Sequence, residues 1–343
     1  MAERIRDWGL VPGLMKPGRN NSITDVPGVK VGHYTLHDSK HHTGVTVIIP
    51  RDDIYYHRCT AACEVINGFG KTSGLVQIDE LGQLETPIAL TNTLNVGLVY
   101  DALVEYTSHI CKAHDEKLKS VNPVVGECND GSLNHIRERV IGYDEVMSAI
   151  RNAENPEVTE GNAGAGAGMV CHGLKGGIGT ASRIVETEEG TYTIGMLALC
   201  NHGVLEELNV LGMKKGQQIK EKLDSMVRTD DSGSCVLVLA TDMPLCSRQL
   251  KRVVKRSAAG LARCGSFWGH GSGDIAIGFT TAHDNIRNDS RTVLLQKVFN
   301  EDHLDQAFAA AAECAEECVL NALAAADRVK NCHCLSEFRE LFL

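Results

Sequence analysis

The residues best placed to do chemistry in this 343-residue sequence are Gly233 and Ser234. A polar segment ends at Gly233, and the apolar run at 235–240 that follows predicts a buried strand. Ser234 would then open that strand. A chain that cuts itself between Gly233 and Ser234 would leave Ser234 with both a nucleophilic Oγ and a free α-amine. A simple Ser-Gly-Ser turn is the alternative interpretation.

A serine at a new N-terminus would supply its own base. A serine hydroxyl is a weak nucleophile, and the sequence offers no histidine beside a candidate serine with an obvious acidic partner. A free α-amine titrates at about pH 7.7–8.0, which suits a general base near neutrality. Unmasking it requires an N-to-O acyl shift, and a glycine before the serine leaves room for the attack and tolerates strained backbone.

The surrounding pattern predicts a mixed α/β chain that must position this serine. Residues 214–232 are polar and lysine-rich, which is typical of a solvent-accessible linker. Because strands and helices arrive in mixed groups, layers of sheet with covering helices are expected. Strands are predicted at 23–32 (around a Pro-Gly turn), 45–49, 87–91, 122–130, 191–200, 235–240 and 274–281, and helices at 96–117, 144–153, 250–262 and 303–329.

The glycine-rich residues 161–168 do not fit a nucleotide-binding motif. No buried strand precedes them, as a dinucleotide fingerprint requires, and Lys175 is followed by glycines where a phosphate loop needs Ser or Thr. A very close approach of backbone to backbone, or of backbone to a substrate, is the remaining explanation.

Histidine and cysteine spacing gives no convincing metal site. The histidines 37, 41 and 42 are interpreted as solvated loop residues. The cysteine pairs 59/63 and 314/318 could each share a helix face, but neither is joined by a second pair at zinc-finger spacing. No metal is therefore predicted.

Composition limits the compartment and the partners. A net charge of −10 without a basic cluster argues against nucleic acid and anionic membranes. The N-terminus has no signal-peptide core, and no apolar run approaches the ~20 residues that span a bilayer. The odd number of cysteines, 13, then indicates reduced thiols in a cytoplasmic protein.

An ordered set of short blocks resembles the DmpA/β-aminopeptidase family of self-processing N-terminal-serine peptidases. Two of them are Asn67-Gly-Phe-Gly70 and Gly271-Ser-Gly-Asp274. No single block is specific, but their order over roughly residues 20–285 is. The blocks are residues 24–33, 44–48, 67–70, 87–93, 123–127, 175–183, 233–234, 240–245, 248–252, 260–263 and 271–274.

The resemblance implies a catalytic role for four residues. Ser234 matches the nucleophile and new N-terminus. Ser272 and Asp274 match a pair in which the acid orients a second serine that hydrogen-bonds the nucleophile. Asn201 matches the amide of the oxyanion hole, where a donor is typically worth about 10²–10³ in rate.

Two further residues are implied in substrate binding. Glu127 matches a carboxylate that would hold the substrate's free amine by a charge-assisted hydrogen bond, and Asn129 lies in the loop that follows. Two departures bear on the pocket. No aromatic residue follows Glu127, although some members have one, and Lys71 stands where the family often has an acid.

The implied fold is a four-layer α/β/β/α sandwich like that of N-terminal-nucleophile hydrolases. One domain, residues 1–343, would be cut into an α-chain (1–233) and a β-chain (234–343), assembled as a homo-oligomer, a tetramer of αβ pairs. The implied activity is a cofactor-free serine aminopeptidase or amidase that releases L-, D- or β-amino acids from small peptides, amides or esters. The alternatives are an acyltransferase of related fold with an amine acceptor, and an uncut binding protein without catalysis.

Overall fold

The computed structural model describes residues 3–153, 157–223 and 233–342. Its strands are Lys30–His37 (β1), His42–Ile49 (β2), His57–Gly68 (β3), Gln83–Leu84 (β4), Ile88–Asn92 (β5), Val124–Cys128 (β6), Val170–Cys171 (β7), Leu174–Lys175 (β8), Gly177–Thr187 (β9), Gly190–Asn201 (β10), Asn209–Val210 (β11), Met213–Lys214 (β12), Ser234–Thr241 (β13) and Gly273–Ile286 (β14). Its α-helices are Leu75–Leu81 (α1), Val96–Ala113 (α2), Tyr143–Arg151 (α3), Lys215–Lys222 (α4), Ser247–Lys255 (α5), Ser257–Arg263 (α6) and Asp305–Ala324 (α7). None of these helices is both long enough and apolar enough to cross a membrane.

Two sheets form the middle of the molecule. One has four strands in the order β1-β2-β5-β6, and the other has six in the order β4-β3-β14-β13-β10-β9. Helices α2 and α3 pack on the four-stranded sheet, and α5 and α7 pack on the six-stranded sheet. The two sheets face each other across a shared apolar core. The predicted α/β/β/α sandwich is therefore confirmed.

Strand β13 shows why the layers stack in this way. All eight of its residues are buried. Val236 and Val238 belong to the core between the two sheets, whereas Leu237 and Leu239 belong to the core beneath helices α5 and α7. Because successive side chains point to opposite faces, a strand that is apolar on both faces must lie between two other layers.

The glycine-rich stretch packs backbone against backbone, as one of the two sequence-based explanations predicts. Residues Gly164–Gly168 form a buried 3-10 helix that contacts β1 and β2. A Cβ on Gly168 would lie only 2.2 Å from the carbonyl oxygen of His42. A larger residue would therefore force the helix away from β2.

Several predicted boundaries were wrong. Ile23–Asp25 forms a 3-10 turn instead of a strand, because Ser22 and Asp25 cap one another. The helix predicted over 250–262 is two helices, α5 and α6, joined at Arg256. The long C-terminal helix begins and ends inside the predicted range, at Asp305 and Ala324.

The predicted linker at 214–232 is described as far as residue 223. Its first half forms α4, whose Ile219 is fully buried, so that half is packed and not a free linker. Residues 224–232 lie outside the described residues.

The histidines and one cysteine pair also differ from the predictions. His41 and His42 are buried at the β1–β2 hairpin, so the prediction of solvated loop residues was wrong for these two. The Nδ1 atoms of His42 and His37 lie 2.9 Å apart. The pair 59/63 lies on strand β3, so it does not share a helix face. The pair 314/318 does lie on one helix, α7.

Candidate active site

Three strand ends meet around Ser234. Ser234, the first residue of β13, pairs with Asn201, the last residue of the antiparallel strand β10. On its other side, Ser234 pairs with Gly273 at the start of the parallel strand β14. The backbone ladder therefore holds Ser272 and Asp274 immediately before and after Gly273, the strand partner of Ser234.

The carbonyl of Gly233 is held next to the Ser234 hydroxyl. Ser234 Oγ donates a 2.7 Å hydrogen bond to the Gly233 oxygen, and the backbone N–H of Gly273 donates a second one of 3.1 Å. The second bond polarises the carbonyl toward attack and would hold negative charge on its oxygen. A Cβ on Gly233 would lie 2.0 Å from the Asn201 carbonyl oxygen, so this position has room for glycine alone.

The Asn201 amide is fixed from both ends. Its Oδ1 accepts a 2.9 Å hydrogen bond from the backbone N–H of Val170, and its Nδ2 donates a 3.1 Å bond to the Asn129 carbonyl oxygen. A side-chain amide carries two N–H donors, so one remains for a developing oxyanion. The orientation is set before any substrate arrives, which is what makes such a donor effective.

Ser272 and Asp274, on either side of Gly273, are fully buried. Asn67 Nδ2 donates a 2.6 Å hydrogen bond to the Ser272 carbonyl oxygen, which fixes the start of β14. The Ser272 Oγ has no hydrogen-bond partner among the residues the structure describes. A buried hydroxyl without a partner costs free energy, so this hydroxyl calls for a role beyond packing.

A cavity of about 370 Å³ opens in front of these residues. It brings together Gly233, Ser234, Asn201, Glu127 and Asn129, five of the residues singled out from the sequence. Ser272 and Asp274 do not line it. The full lining is Phe69, Lys71, Thr93, Glu127, Asn129, Ser132, Asn201, Gly233, Ser234 and Gly271.

Glu127 forms an acidic floor in this cavity. It is 2% exposed, near the end of β6. Its Oε1 accepts a 2.8 Å hydrogen bond from the backbone N–H of Lys71, and its Oε2 accepts one from the Thr93 hydroxyl. A carboxylate has about four acceptor positions, so capacity remains for a cationic amine.

No sequence pattern indicates a role for Lys71 or Thr93 at Glu127. Both border blocks that carry the family resemblance: Thr93 ends the block 87–93, and Lys71 follows the block 67–70. Their positions at block ends were the only signal, because the contact with Glu127 joins segments that are 34 and 56 residues apart.

A buried group of cysteines and histidines lies beside the strand ends. The ligand atoms of Cys171, His172 and His202 lie within 4.8 Å of one another, as do those of Cys200, His202 and Cys235. Either set could hold a metal ion. The prediction of no metal rested on sequence spacing alone, which cannot detect sites assembled from separate strands, and it stays a prediction.

Cys235 does not compete with Ser234 as the nucleophile. The hydrogen bond with Cys200 would lower the pKa of the Cys235 thiol, but burial and the charge of Asp274 outweigh it and raise that pKa to about 12. Only the thiolate is strongly nucleophilic, so a buried thiol with such a pKa is inert.

A larger cavity of about 1140 Å³ lies elsewhere, beside the end of β9. Tyr192, Lys297 and Phe299 are among the residues that line it, and none of the predicted catalytic or substrate-binding residues does. Of these two cavities, the smaller one is therefore the candidate active site, since it combines the buried Ser234 hydroxyl with the oriented Asn201 amide and the Glu127 carboxylate.

Known proteins match the chain over nearly its full length. A β-peptidyl aminopeptidase, BapA, of Sphingosinicella microcystinivorans is 38% identical over 94% of this chain and 86% of its own. The solved structure of a β-aminopeptidase from Burkholderia sp. superposes with a TM-score of 0.91 at 39% identity, covering 99% of this chain and 97% of that one. The solved structure of the L-aminopeptidase D-Ala-esterase/amidase from Ochrobactrum anthropi is described as a variant of the Ntn hydrolase fold. It superposes with a TM-score of 0.87 at 34% identity, covering 96% of this chain and 92% of that one.

These matches confirm the predicted N-terminal-nucleophile fold and the prediction of a hydrolase. They do not favour the acyltransferase alternative, since the relatives are named as aminopeptidases, an esterase or an amidase. The family model described as peptidase family S58 matches residues 21–334. The chain therefore belongs to peptidase family S58.

Proposed function

We propose that this enzyme cuts itself between Gly233 and Ser234, and that Ser234 then releases N-terminal residues from small peptides, amides or esters. The observation that carries the proposal is the position of Ser234. Its Oγ lies 2.7 Å from the oxygen of the carbonyl to be attacked, in the cavity that also holds Asn201 and Glu127. The names of the relatives, which include β-peptidyl and L-aminopeptidases, support the substrate class.

Self-cleavage begins with an acyl shift. Ser234 Oγ attacks the Gly233 carbonyl carbon, while the Gly273 N–H stabilises the oxyanion. The C–N bond breaks, the hydroxyl proton passes to the departing Ser234 nitrogen, and an ester joins the two segments. Water hydrolyses this ester, which leaves a Gly233 carboxylate and a Ser234 that carries both a free α-amine and a free hydroxyl.

The catalytic cycle reuses the same hydroxyl. The substrate's ammonium binds Glu127, and Ser234 Oγ attacks the carbonyl of the first residue. The α-amine of Ser234 accepts the hydroxyl proton and delivers it to the leaving group, supported by Ser272 and Asp274. Asn201 donates to the oxyanion, and Asn129 fixes the Asn201 amide besides lining the substrate cavity. Water then releases the acyl group from Ser234.

The two segments would stay together after cleavage. In the six-stranded sheet, β13 lies between β10, from the proposed α-chain 1–233, and β14, and β14 pairs in turn with β3 of the α-chain. We propose that such αβ pairs form a homo-oligomer, a tetramer. The thirteen cysteines, which are all described and all free, support a reducing cytoplasmic location.

Mass analysis under denaturing conditions tests the proposal. Wild-type protein should give two chains, 1–233 and 234–343, and Ser234→Ala should give one uncut, inactive chain. Ser132→Ala is the matched control, since this hydroxyl lines the same cavity but does not border the bond, and it should still be cut. An intact wild-type chain after long incubation would contradict self-cleavage. Amidase activity in Ser234→Ala would assign the nucleophile to another residue.

A further inference from the structure

The candidate active site has a negative floor and a positive mouth. Glu127, 2% exposed, lies at the floor, and the exposed side chain of Lys71 lies at the mouth of the same cavity. We propose that Lys71 binds the C-terminal carboxylate of a dipeptide whose N-terminal ammonium is held by Glu127. This deepens the proposed function, on which it rests, by naming its substrates as short zwitterionic peptides with a free carboxylate.

The ammonium of Lys71 has no acidic partner in the described structure. Its Nζ donates a 3.2 Å hydrogen bond to the Phe69 carbonyl oxygen and lies 4.4 Å from the centroid of the Phe69 ring. Neither contact neutralises its charge, and no ion pair of Lys71 occurs among the described residues. An exposed ammonium of this kind in the lining of the site can bind a carboxylate by a charge-assisted hydrogen bond.

The backbone and the side chain of Lys71 serve opposite ends of the cavity. Its N–H bonds Glu127 Oε1 at 2.8 Å, so the Lys71 backbone is fixed at the acidic floor. Its flexible four-carbon stem can place the ammonium about 6 Å from the Cα. Two fully extended residues span about 7 Å, so the charged ends of a dipeptide match the separation that Glu127 and Lys71 can offer.

The cavity limits the length of the substrate. At about 370 Å³ it has the size of a small-ligand site, and Glu127, Lys71 and Ser234 all line it. The exposed ring of Phe69, which is 55% accessible, gives the leaving residue an apolar wall beside Lys71. A longer peptide would carry its carboxylate beyond the reach of this one ammonium.

The test compares three substrates with the same N-terminal residue: a dipeptide, the same dipeptide with an amidated C-terminus, and the p-nitroanilide. For the wild type, kcat/KM should be about 3- to 10-fold higher for the free acid than for the amide. In Lys71→Met this ratio should fall close to one, Lys71→Arg should restore it, and Lys71→Glu should invert it. High salt should reduce the wild-type ratio, since the pair is partly exposed.

Controls separate this inference from the function on which it rests. Lys117→Met removes another exposed lysine, far along the chain, and should leave the ratio unchanged. The p-nitroanilide has no carboxylate, so its turnover shows that the catalytic machinery of each variant is intact. If the anilide is cleaved and the acid-to-amide ratio is the same in wild type and Lys71→Met, the carboxylate subsite is disproved. If the wild type cleaves none of the three substrates, the proposed function itself fails.

Discussion

Asn201 and Ser234 are direct partners across an antiparallel ladder, the last residue of β10 opposite the first residue of β13. This pairing fixes the proposed oxyanion donor relative to the proposed nucleophile through backbone hydrogen bonds instead of flexible side chains. Both residues are nearly buried, at 2% and 6% exposure, so water does not compete strongly with the contacts they make. A site built on strand ends is rigid, which is what preorganised catalysis requires.

The first prediction concerns the free N–H of the Asn201 amide. Asn201→Ala should lower kcat by about 10²–10³ and change KM little, because an oxyanion donor acts mainly in the transition state. Steady-state kinetics on an aminoacyl p-nitroanilide would measure both constants.

Asn201→Asp provides the comparison for that prediction. The carboxylate can still accept the 2.9 Å hydrogen bond from Val170, but it loses the bond that the amide donates to the Asn129 carbonyl oxygen and donates nothing to an oxyanion. The two variants should therefore be similarly slow. A large rise in KM with unchanged kcat would assign Asn201 to substrate binding instead.

The second prediction concerns the residue before the nucleophile. In Gly233→Ala the new Cβ would lie 2.0 Å from the Asn201 carbonyl oxygen. This clash can be relieved only if the backbone moves. This movement should displace the Gly233 carbonyl from Ser234 Oγ, so that uncut precursor accumulates. The fraction of cut chain over time, read by denaturing electrophoresis, measures the effect.

Gly97→Ala is the matched control for this substitution. Gly97 lies in α2, and a Cβ there would meet nothing within 4 Å. It should be cut at the wild-type rate and gain up to about 1 kcal/mol in stability, since alanine favours the helix. Equal cleavage of both variants would show that the contact with Asn201 does not limit processing.

Much of the fold could be predicted from the sequence because its buried strands carry strong local patterns. The strand at 235–240 and the one at 191–200 were predicted close to their observed bounds, since each is a continuous apolar run. The break between α5 and α6 was missed, because the apolar period of the two helices continues across Arg256. Periodicity reports which face is buried, and it does not report a change in backbone direction.

The geometry of the candidate site was predictable where backbone pairing places residues together, and not where side chains converge from distant segments. Ser234 could be inferred from its own neighbours, whereas the other roles came from the ordered blocks. The contact of Lys71 with Glu127 joins a loop after β3 to the end of β6, and no local pattern encodes it. The same reason hid the buried group of cysteines and histidines, whose members come from β7, β10, β13 and the loops that follow β7 and β10.

The last prediction concerns a buried ion cluster that joins the two proposed chains. Arg183, on β9 of the α-chain, donates hydrogen bonds of 2.7 Å to Glu313 and to Glu317, both on helix α7 of the β-chain. Arg183 and Glu317 are fully buried. Removing Arg183 takes a buried ion-pair partner from both glutamates, while Arg6 still pairs with Glu317, and breaking a buried pair typically costs about 3–5 kcal/mol. Arg183→Met should therefore lower the thermal midpoint at pH 7 by roughly 5–10 °C.

The pH dependence of this effect follows from the glutamates. Burial alone would raise the pKa of Glu317, but its bonds to Arg6 and Arg183 outweigh burial and lower that pKa. Burial would also raise the pKa of Glu313, but the hydrogen bonds from the Leu14 backbone and from Arg183 lower it. A carboxyl whose folded pKa is depressed stabilises the protein above its unfolded pKa of about 4.3, and this stability is lost as the pH falls through the folded value. The gap between wild type and Arg183→Met should thus be largest near pH 7 and shrink below about pH 4.

Thermal denaturation at pH 7, 5 and 3.5 would measure this gap, with Arg291→Met as the control. Arg291 forms an exposed pair with Asp289, its side chain being 64% accessible, and such pairs contribute about 0–1 kcal/mol. The control should shift the midpoint little at any pH. A gap for Arg183→Met that stays constant from pH 7 to 3.5 would mean that lost packing, and not unpaired charge, causes the destabilisation, since the methionine lacks the guanidinium at every pH.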